Sequence, residues 1–454
     1  MTADCVVIGA GLAGFSAGVR LTDAGFNVVV VEESPRLGGR ATAFTDRETG
    51  DRVDNGQHVL FGCYRETYAY LKRIGTADLA PLQTQLALTM ADLEGRAAEL
   101  RCPSITPPWH LVAGILRWPV LSLRDRISAL GVRSLLTSVR RDGAEAVAAR
   151  VPSTLTVADW LDAHGQSARL RDWLWHPLAI AALNQSPEVA AAAPFVRVLG
   201  ELFGPRVEDS AVGLPKVPLD ELFGEPARRA IVERGGHVLQ KTSGRVVVDD
   251  AGRIAGVRAG SEMIATSCVV SAVPWHAFTR VWEAGVPRPL ETIAKNAAAT
   301  GGSPIVTVNL WFDGSVMPGP FVGLVDGPMH WVFDKSAIFG EQAGHLSIVA
   351  SGADDLAAMD NAAVTQAAVD HLARALPASR ARTLKRSVVV REHRATFSLA
   401  PGVPPRPRTT SPLAGFYLAG DWTDTGLPGT IEGAVLSGHR AADAIIKMGK
   451  PRHA

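Results

Sequence analysis

The sequence predicts an α/β protein: a parallel sheet flanked by helices, joined to a second, discontinuous unit of mixed α+β structure. Three observations predict it. Residues 4–33 read as a strand, a glycine turn, a helix and a second strand in unbroken succession. Residues 100–225 become helical in pattern, rich in Ala, Leu, Trp and Arg, and broken by prolines. Residues 303–335 return to alternating apolar strands, as in 305–311. With 454 residues, 47% of them hydrophobic, the chain can bury several cores, and two or three domains are expected. A formal net charge of +1, with Lys and Arg spread along the chain, argues against a nucleic-acid partner.

Each part of the N-terminal unit has a chemical reason. Cys5–Ile8 suits a buried parallel strand, and Gly9-Ala10-Gly11-Leu12-Ala13-Gly14 is a G-x-G-x-x-G turn. Leu12–Ala24 has helical periodicity stopped by Gly25, and Asn27–Val31 is a second strand ending at Glu32. In such a Rossmann-like unit Gly9 permits the tight turn and Gly11 lets backbone N–H groups approach a pyrophosphate. Gly14 lets the helix pack closely on the strand, and the helix N-terminus favours the phosphates. Glu32, eighteen residues beyond Gly14, suits ribose hydroxyls and would repel a 2′-phosphate, which disfavours NADP. NAD and FAD both fit to this point. Pro35-Arg36-Leu37-Gly38-Gly39-Arg40 then favours FAD, because a second glycine pair serves a cofactor that runs on past its pyrophosphate. Arg40 is a charged donor for phosphate or flavin oxygens.

The four cysteines, Cys5, Cys63, Cys102 and Cys268, form no CxxC pair and suit neither zinc nor a disulfide framework. No metal site is expected. Apolar residues lead at once into the glycine turn, without the pattern of a signal peptide, and no uncharged apolar run approaches the ~20 residues of a spanning helix. A cytoplasmic protein is expected, with room for peripheral contact at the inner face of the membrane.

Several stretches then carry a resemblance. They are 30–40, Gly235-Gly236-His237, Gly244–Val248, Val269–Pro274 and LAGDWTDTGLPGTIEGAVLSG at 418–438. Together with the N-terminal unit they resemble the flavoprotein superfamily of amine oxidases and phytoene-type desaturases over most of the chain. VDNGQHVLFGCYRETYAYLKRIG (53–75), WHPLAIAALN (175–184) and REHRATFSLAPG (391–402) are similar to its squalene-associated members, the hydroxysqualene dehydroxylases of bacterial hopanoid synthesis. The resemblance implies FAD held by Gly9, Gly11, Leu12, Ala13, Gly14, Glu32, Glu33, Gly38, Gly39 and Arg40. It also implies a middle-strand contact at Val246 and a closing segment at Gly420, Asp421, Thr430, Ile431 and Glu432. The closing segment makes sense unaided too, as a short strand, a carboxylate for a polyol, and a small-residue helix start that would stabilise negative charge on a reduced flavin.

The resemblance further implies an FAD-binding domain from residues 1–75, 225–285 and 395–454, and a substrate domain from 76–224 and 286–394. Residues 235–273 suggest a small β-meander. Thr156–Ala163 opens with a helix cap. Residues 107–140 interleave large apolar residues and tryptophans with arginines. Either a membrane-lying patch with Trp109 and Trp118 at the interface, or a pair of amphipathic helices over a core, accounts for them.

In this family the stretch VDNGQHVLFGCY (53–64) would run beside the flavin. Asn55, Gly56 and Gln57 are expected at the cofactor, with Val59, Leu60, Phe61 and Tyr64 lining an apolar tunnel for a C30 triterpenoid. Removing an allylic hydroxyl needs a proton donor in a dry site, and then hydride. His58 is the first candidate for the acid, or else a backbone partner near the flavin. Tyr64, His176 and Arg394 are further candidates for acid or hydroxyl orientation, and Asn184 for holding the hydroxyl. Their ordinary readings are core, helix end, surface ion pair and helix cap, respectively. A polyene desaturase is the alternative activity. A flavin amine or porphyrinogen oxidase would need an aromatic cage, for which Trp311, Trp331 and Trp422 are available, and a flavin-retaining isoprenoid carrier would need no reaction. No second dinucleotide loop is evident, so the electron donor is a partner, a quinone or a transient nicotinamide.

Overall fold

The computed structural model describes residues 1–340 and 343–450. Its first layer is a five-stranded parallel sheet in the order Phe416–Leu418, Val269–Ser271, Cys5–Ile8, Val28–Val31, His237–Leu239. These strands are short and apolar because helices cover them, as parallel sheets require. The helix Leu12–Asp23 crosses from the first strand to the second, and Gly25 ends it at φ +80°. The final helix, Ile431–Met448, packs along it.

The expected meander is a three-stranded antiparallel sheet of Gly244–Val248, Ile254–Ala259 and Glu262–Ala265. Its flanks at 237–239 and 269–271 belong instead to the parallel sheet, where 269–271 is buried between two strands and 237–239 is the half-exposed edge.

A seven-stranded mixed sheet forms the other large layer, in the order Leu384–Phe397, Gly302–Phe312, His345–Ser351, Trp331–Asp334, Phe321–Leu324, Ala87–Ala91, Ala97–Arg101. The helical stretch lies between. Its Thr156 caps Val157–Ala163 in a reciprocal capping box with Asp159. Residues 107–140 fold as the helices Trp109–Arg117, Leu123–Ser128 and Arg133–Asp142, joined by short turns. Among the described residues no helix is long and apolar enough to cross a membrane.

Buried histidines make this fold sensitive to acid. Burial holds His58, His330 and His371 down at about 4 and His345 at about 3. The unfolded chain takes up these protons near pH 6.5 and the folded chain only near 3–4, so stability is full above about pH 6.5 and falls as pH drops toward 4. At about pH 5 the loss should be on the order of 1–2 kcal/mol per ring. The urea midpoint is expected to be clearly lower at about pH 5 than at pH 7.5. An unchanged midpoint would show that the rings reach solvent.

Candidate functional site

A cleft of about 550 Å³ opens where the parallel strands end, lined by Ile8, Gly9, Val31, Glu32, Ala272, Gly420 and their neighbours. This is the crevice in which open α/β sheets take ligands. Gly14 is required by packing: a Cβ there would stand 1.9 Å from the Gly9 carbonyl oxygen. At Gly11 an added Cβ would meet only the Gly39 Cα at 3.9 Å, so glycine there keeps space that no protein atom fills. That space faces the N-terminus of the first helix, a fitting cradle for a pyrophosphate.

Glu32 closes the second strand and accepts the Ala10 N–H at 2.6 Å and the Ser34 N–H at 2.7 Å. Leu12, Ala13, Gly38 and Gly39 also line the cleft, and Glu33 stands exposed on its rim. Arg40 crosses to the far wall, where it donates to the Asp421 carboxylate at 2.7 Å and to the Ala395 carbonyl. Thr430 caps the final helix by accepting the Gly433 N–H at 3.1 Å, and Thr430 and Ile431 face the cleft. Two helix N-termini therefore point into one crevice, an arrangement suited to a doubly charged pyrophosphate at one end and an electron-rich ring at the other.

Two expected cofactor contacts lie elsewhere. Val246 is buried inside its sheet with its carbonyl accepting the Glu283 N–H, and Gly244 and Arg245 line the cleft instead. The Glu432 carboxylate turns away from the cleft. It accepts the N–H groups of Glu66 and Thr67 and the Thr67 hydroxyl, capping the helix Arg65–Ile74. The free N–H groups of that helix start are a better partner for a buried carboxylate than a neutral ring edge.

A second cavity of about 560 Å³ adjoins the first. Its walls are mostly apolar, among them Val59, Phe61, Leu111, Ile115, Leu178, Phe321 and Phe333. The two cavities share Arg40, His58, Glu392, Ala395, Gly429, Thr430 and Ile431, which therefore mark their junction. Three of the seven are ionisable, in an otherwise greasy surround.

His58 stands at this junction. Burial, with Arg40 and Lys335 against it and Asp54 and an Arg40 backbone contact for it, holds its imidazole at about 4. At neutral pH the ring is thus neutral in all but about one molecule in a thousand. It can donate or accept a hydrogen bond, but it carries no spare proton for a leaving hydroxide. Desolvation outweighs the carboxylate neighbour and leaves the resting ring uncharged, so His58 would act as the acid only after taking up a proton.

Tyr64 lines the apolar cavity just before the helix Arg65–Ile74, edge-on to Phe61 at 5.8 Å, and burial raises its hydroxyl well above the usual phenol range. Asn184, in the left-handed region at φ 54°, is the cap of the helix His176–Leu183. Its amide donates to the Ser303 carbonyl and Thr396 hydroxyl, each at 3.0 Å, and accepts the Gly352 N–H at 2.7 Å. With both amide hydrogens used, it braces the cavity wall that it lines and has no N–H left for a guest hydroxyl.

His176 points away from the cavity, 3.6 Å from Asp172, because its helical neighbours Trp175 and Pro177 take the inner face. Arg394 lines the cofactor cleft and not the apolar cavity. Gln57 also differs from expectation: its amide oxygen accepts from Lys335 at 2.7 Å and its nitrogen donates to the His58 carbonyl at 3.0 Å. The Asn55 side-chain amide makes long contacts, at 3.4 Å to Glu392 and 3.5 Å to the Arg40 carbonyl. Gly56 lines the apolar cavity, and a Cβ there would meet only the Thr307 hydroxyl at 3.7 Å. The three tryptophans do not assemble a cage. Trp331 lines the cavity, while Trp311 bonds Asp51 and Trp422 bonds the Val273 carbonyl.

Sequence reasoning missed Glu392 and Lys335. Glu392 lies opposite Ile305, but Thr396 lies opposite Ser303, so two extra residues bulge out between them. Such bulges re-aim side chains. Its strand pattern alone gives no sign of this. Lys335 reads as an ordinary helix-start lysine, and only the fold buries it.

The profile of the family described as flavin containing amine oxidoreductase matches residues 12–178 and 218–446. The hydroxysqualene dehydroxylase of Rhodopseudomonas palustris is 29% identical over 452 residues, covering 98% of each chain. That of Sinorhizobium fredii is 28% identical, covering 96% of this chain and 97% of its own. A probable zeta-carotene desaturase of Synechococcus elongatus is 26% identical over 97% of this chain and 98% of its own. Among solved structures, cyclohexylamine oxidase from Brevibacterium oxydans has the same fold, with a TM-score of 0.70 at 19% identity over 99% of both chains. With the pyrophosphate cradle, the facing helix starts and this profile match in agreement, the chain belongs to the flavin containing amine oxidoreductase family and is an oxidoreductase that uses FAD.

Proposed function

We propose that the protein reduces hydroxysqualene to squalene, replacing one allylic hydroxyl with hydride. The observation that carries the reading is the junction: an apolar cavity meets the FAD cleft at a few polar groups. Near-full-length similarity to two hydroxysqualene dehydroxylases supports the choice of guest. FAD, when bound and reduced, supplies hydride. The remaining work falls to the chain. The cavity walls bind the hydrocarbon and keep water from an allylic cation. His58 hydrogen-bonds and orients the hydroxyl with Glu392 beside it at the junction, and the proton that lets the hydroxyl leave as water reaches it through these groups. Arg40, tied to Asp421, holds the cofactor's polar side. Within this reading residues 1–75, 225–285 and 395–454 form the cofactor domain and 76–224 and 286–394 the substrate domain, of which 341–342 and 451–454 lie outside the described residues.

We also propose that the guest comes from a bilayer. Trp109, Leu116, Leu123, Ile127 and Leu130 are all exposed, with exposed Arg117, Arg124 and Arg133 among them. Pro108, Leu111, Ile115, Leu116 and Leu130 of the same segment line the apolar cavity. An apolar face ringed by arginines suits a monotopic contact. Trp118, expected at that interface, is 1% exposed and packs edge-on against Trp173 at 6.1 Å, because its helix ends there and turns it inward.

The test is anaerobic turnover of photoreduced holoprotein with hydroxysqualene, the product identified by mass spectrometry. Squalene is expected. The similarity to a zeta-carotene desaturase supports a second reading, in which oxidised FAD takes hydride from a polyene. Desaturation without squalene formation would select that reading, and bound lipid without either reaction would select a carrier.

A further inference from the structure

Lys335 is 1% exposed, in the first turn of the helix Lys335–Phe339. A lysine is almost never so buried unless paired. Its Nζ donates to Asp54 Oδ2 and to Gln57 Oε1, each at 2.7 Å, and lies 4.0 Å from the centre of the Phe339 ring. The other Asp54 oxygen accepts the Leu219 N–H at 3.0 Å. Gln57 in turn donates to the carbonyl of His58. One ammonium thus joins the end of the strand Arg52–Asp54, the seven-stranded sheet through the helix that follows Trp331–Asp334, and the segment bearing His58.

From these contacts we propose that Lys335 is a positioning residue: through Asp54 and Gln57 it clamps the segment 54–58 so that the imidazole of His58 stands at the junction of the two cavities. The inference rests on the reading of His58 as the group that meets the guest.

Two arguments support it. A buried ion pair gains little stability over well-packed apolar side chains of the same volume, so fold stability alone gives weak reason to keep one. And the segment's other anchors are few: Asp54 pairs with Ala43 at the strand end, and the His58 ring meets the Arg40 backbone. The Asn55 N–H bonds the Thr42 carbonyl at 2.9 Å, its amide contacts are long, and the backbone at Gly56 is unbraced by any side chain of its own. The clamp also sets charge. His58 is faced by Asp54, Arg40 and Lys335 and shares the junction with Glu392. Lys335 and Arg40 favour the neutral ring, and Asp54 opposes them.

Lys335→Met and the pair Asp54→Asn with Lys335→Met test the clamp in FAD-loaded protein. The single change strands a buried carboxylate and can unfold the chain, whereas the pair removes both charges and keeps the volume. Ring-labelled histidine NMR reads the His58 titration without any substrate, and steady-state turnover is measured alongside. In the pair variant, FAD absorbance is expected to be retained, and the His58 ring signals to shift and broaden. The kcat should fall by roughly a hundredfold, the scale of a ~1 Å misplacement, with KM little changed. Lys335→Arg should restore part of the rate. A pair variant with native His58 signals and native kcat would overturn the proposal, leaving the ion pair a structural tie. Should hydroxysqualene not be the substrate, the NMR arm still decides the clamp, so the two failures are distinguishable.

Discussion

Gly14→Ala is expected to yield a protein that no longer retains FAD. The new Cβ would lie 1.9 Å from the backbone oxygen of Gly9, an atom that no side-chain rotation can move. The first helix must then lift from its strand, carrying its N-terminus away from the cleft. Overpacking of this kind costs on the order of 1–3 kcal/mol or more. Gly438→Ala should act alike from the other side, since its Cβ would meet the Ala13 carbonyl oxygen and the Ser16 hydroxyl at 2.1 Å each. Gly11→Ala separates packing from ligand space. No protein atom lies closer than 3.9 Å to a Cβ there, so the apoprotein should melt normally while FAD affinity falls. Flavin absorbance after desalting, beside apoprotein melting temperatures, distinguishes the three. FAD retained by Gly14→Ala would mean that the cradle adapts.

The second large effect concerns delivery. Leu123 and Ile127 are 71% and 59% exposed on one short helix, and Trp109 nearby is 63% exposed. Replacing Leu123 and Ile127 with Asp should leave melting nearly unchanged, because surface substitutions away from the core usually shift stability by less than ~0.5 kcal/mol. Binding to anionic vesicles should be lost, because each change removes apolar burial and adds charge against the headgroups. Turnover of vesicle-borne hydroxysqualene should fall by roughly tenfold or more, while turnover in detergent micelles persists. Equal loss in both media would place the damage in the cavity, and full turnover on vesicles would remove the membrane from the account.

Much of the cofactor side was legible in the chain. The turn at Gly9–Gly14, the acid at Glu32 and the capped start at Thr430 are local devices. Their spacing follows from how a strand must turn into a helix, so a short window contains the whole argument. The chamber was legible only in outline. Val59, Phe61 and Tyr64 were expected to line it and do, and Asn184 lines it too, whereas Leu60 is buried in the core beneath and His176 lies outside the chamber. Which way a side chain points on a helix depends on what packs against it, and in this helix Trp175 and Pro177 take the inward positions.

The sequence by itself determined the FAD-binding unit, the parallel sheet's first two strands and the helical character of the middle, because each depends on contacts between near neighbours. Only the tertiary structure decided what surrounds His58. Its protonation is set by burial and by Asp54, Arg40 and Lys335, and Lys335 lies 277 positions away along the chain. Desolvation and charge act through space, and a one-dimensional pattern contains no distances. For the same reason Glu392 became visible at the junction only when the bulge opposite Ser303–Ile305 had turned it there.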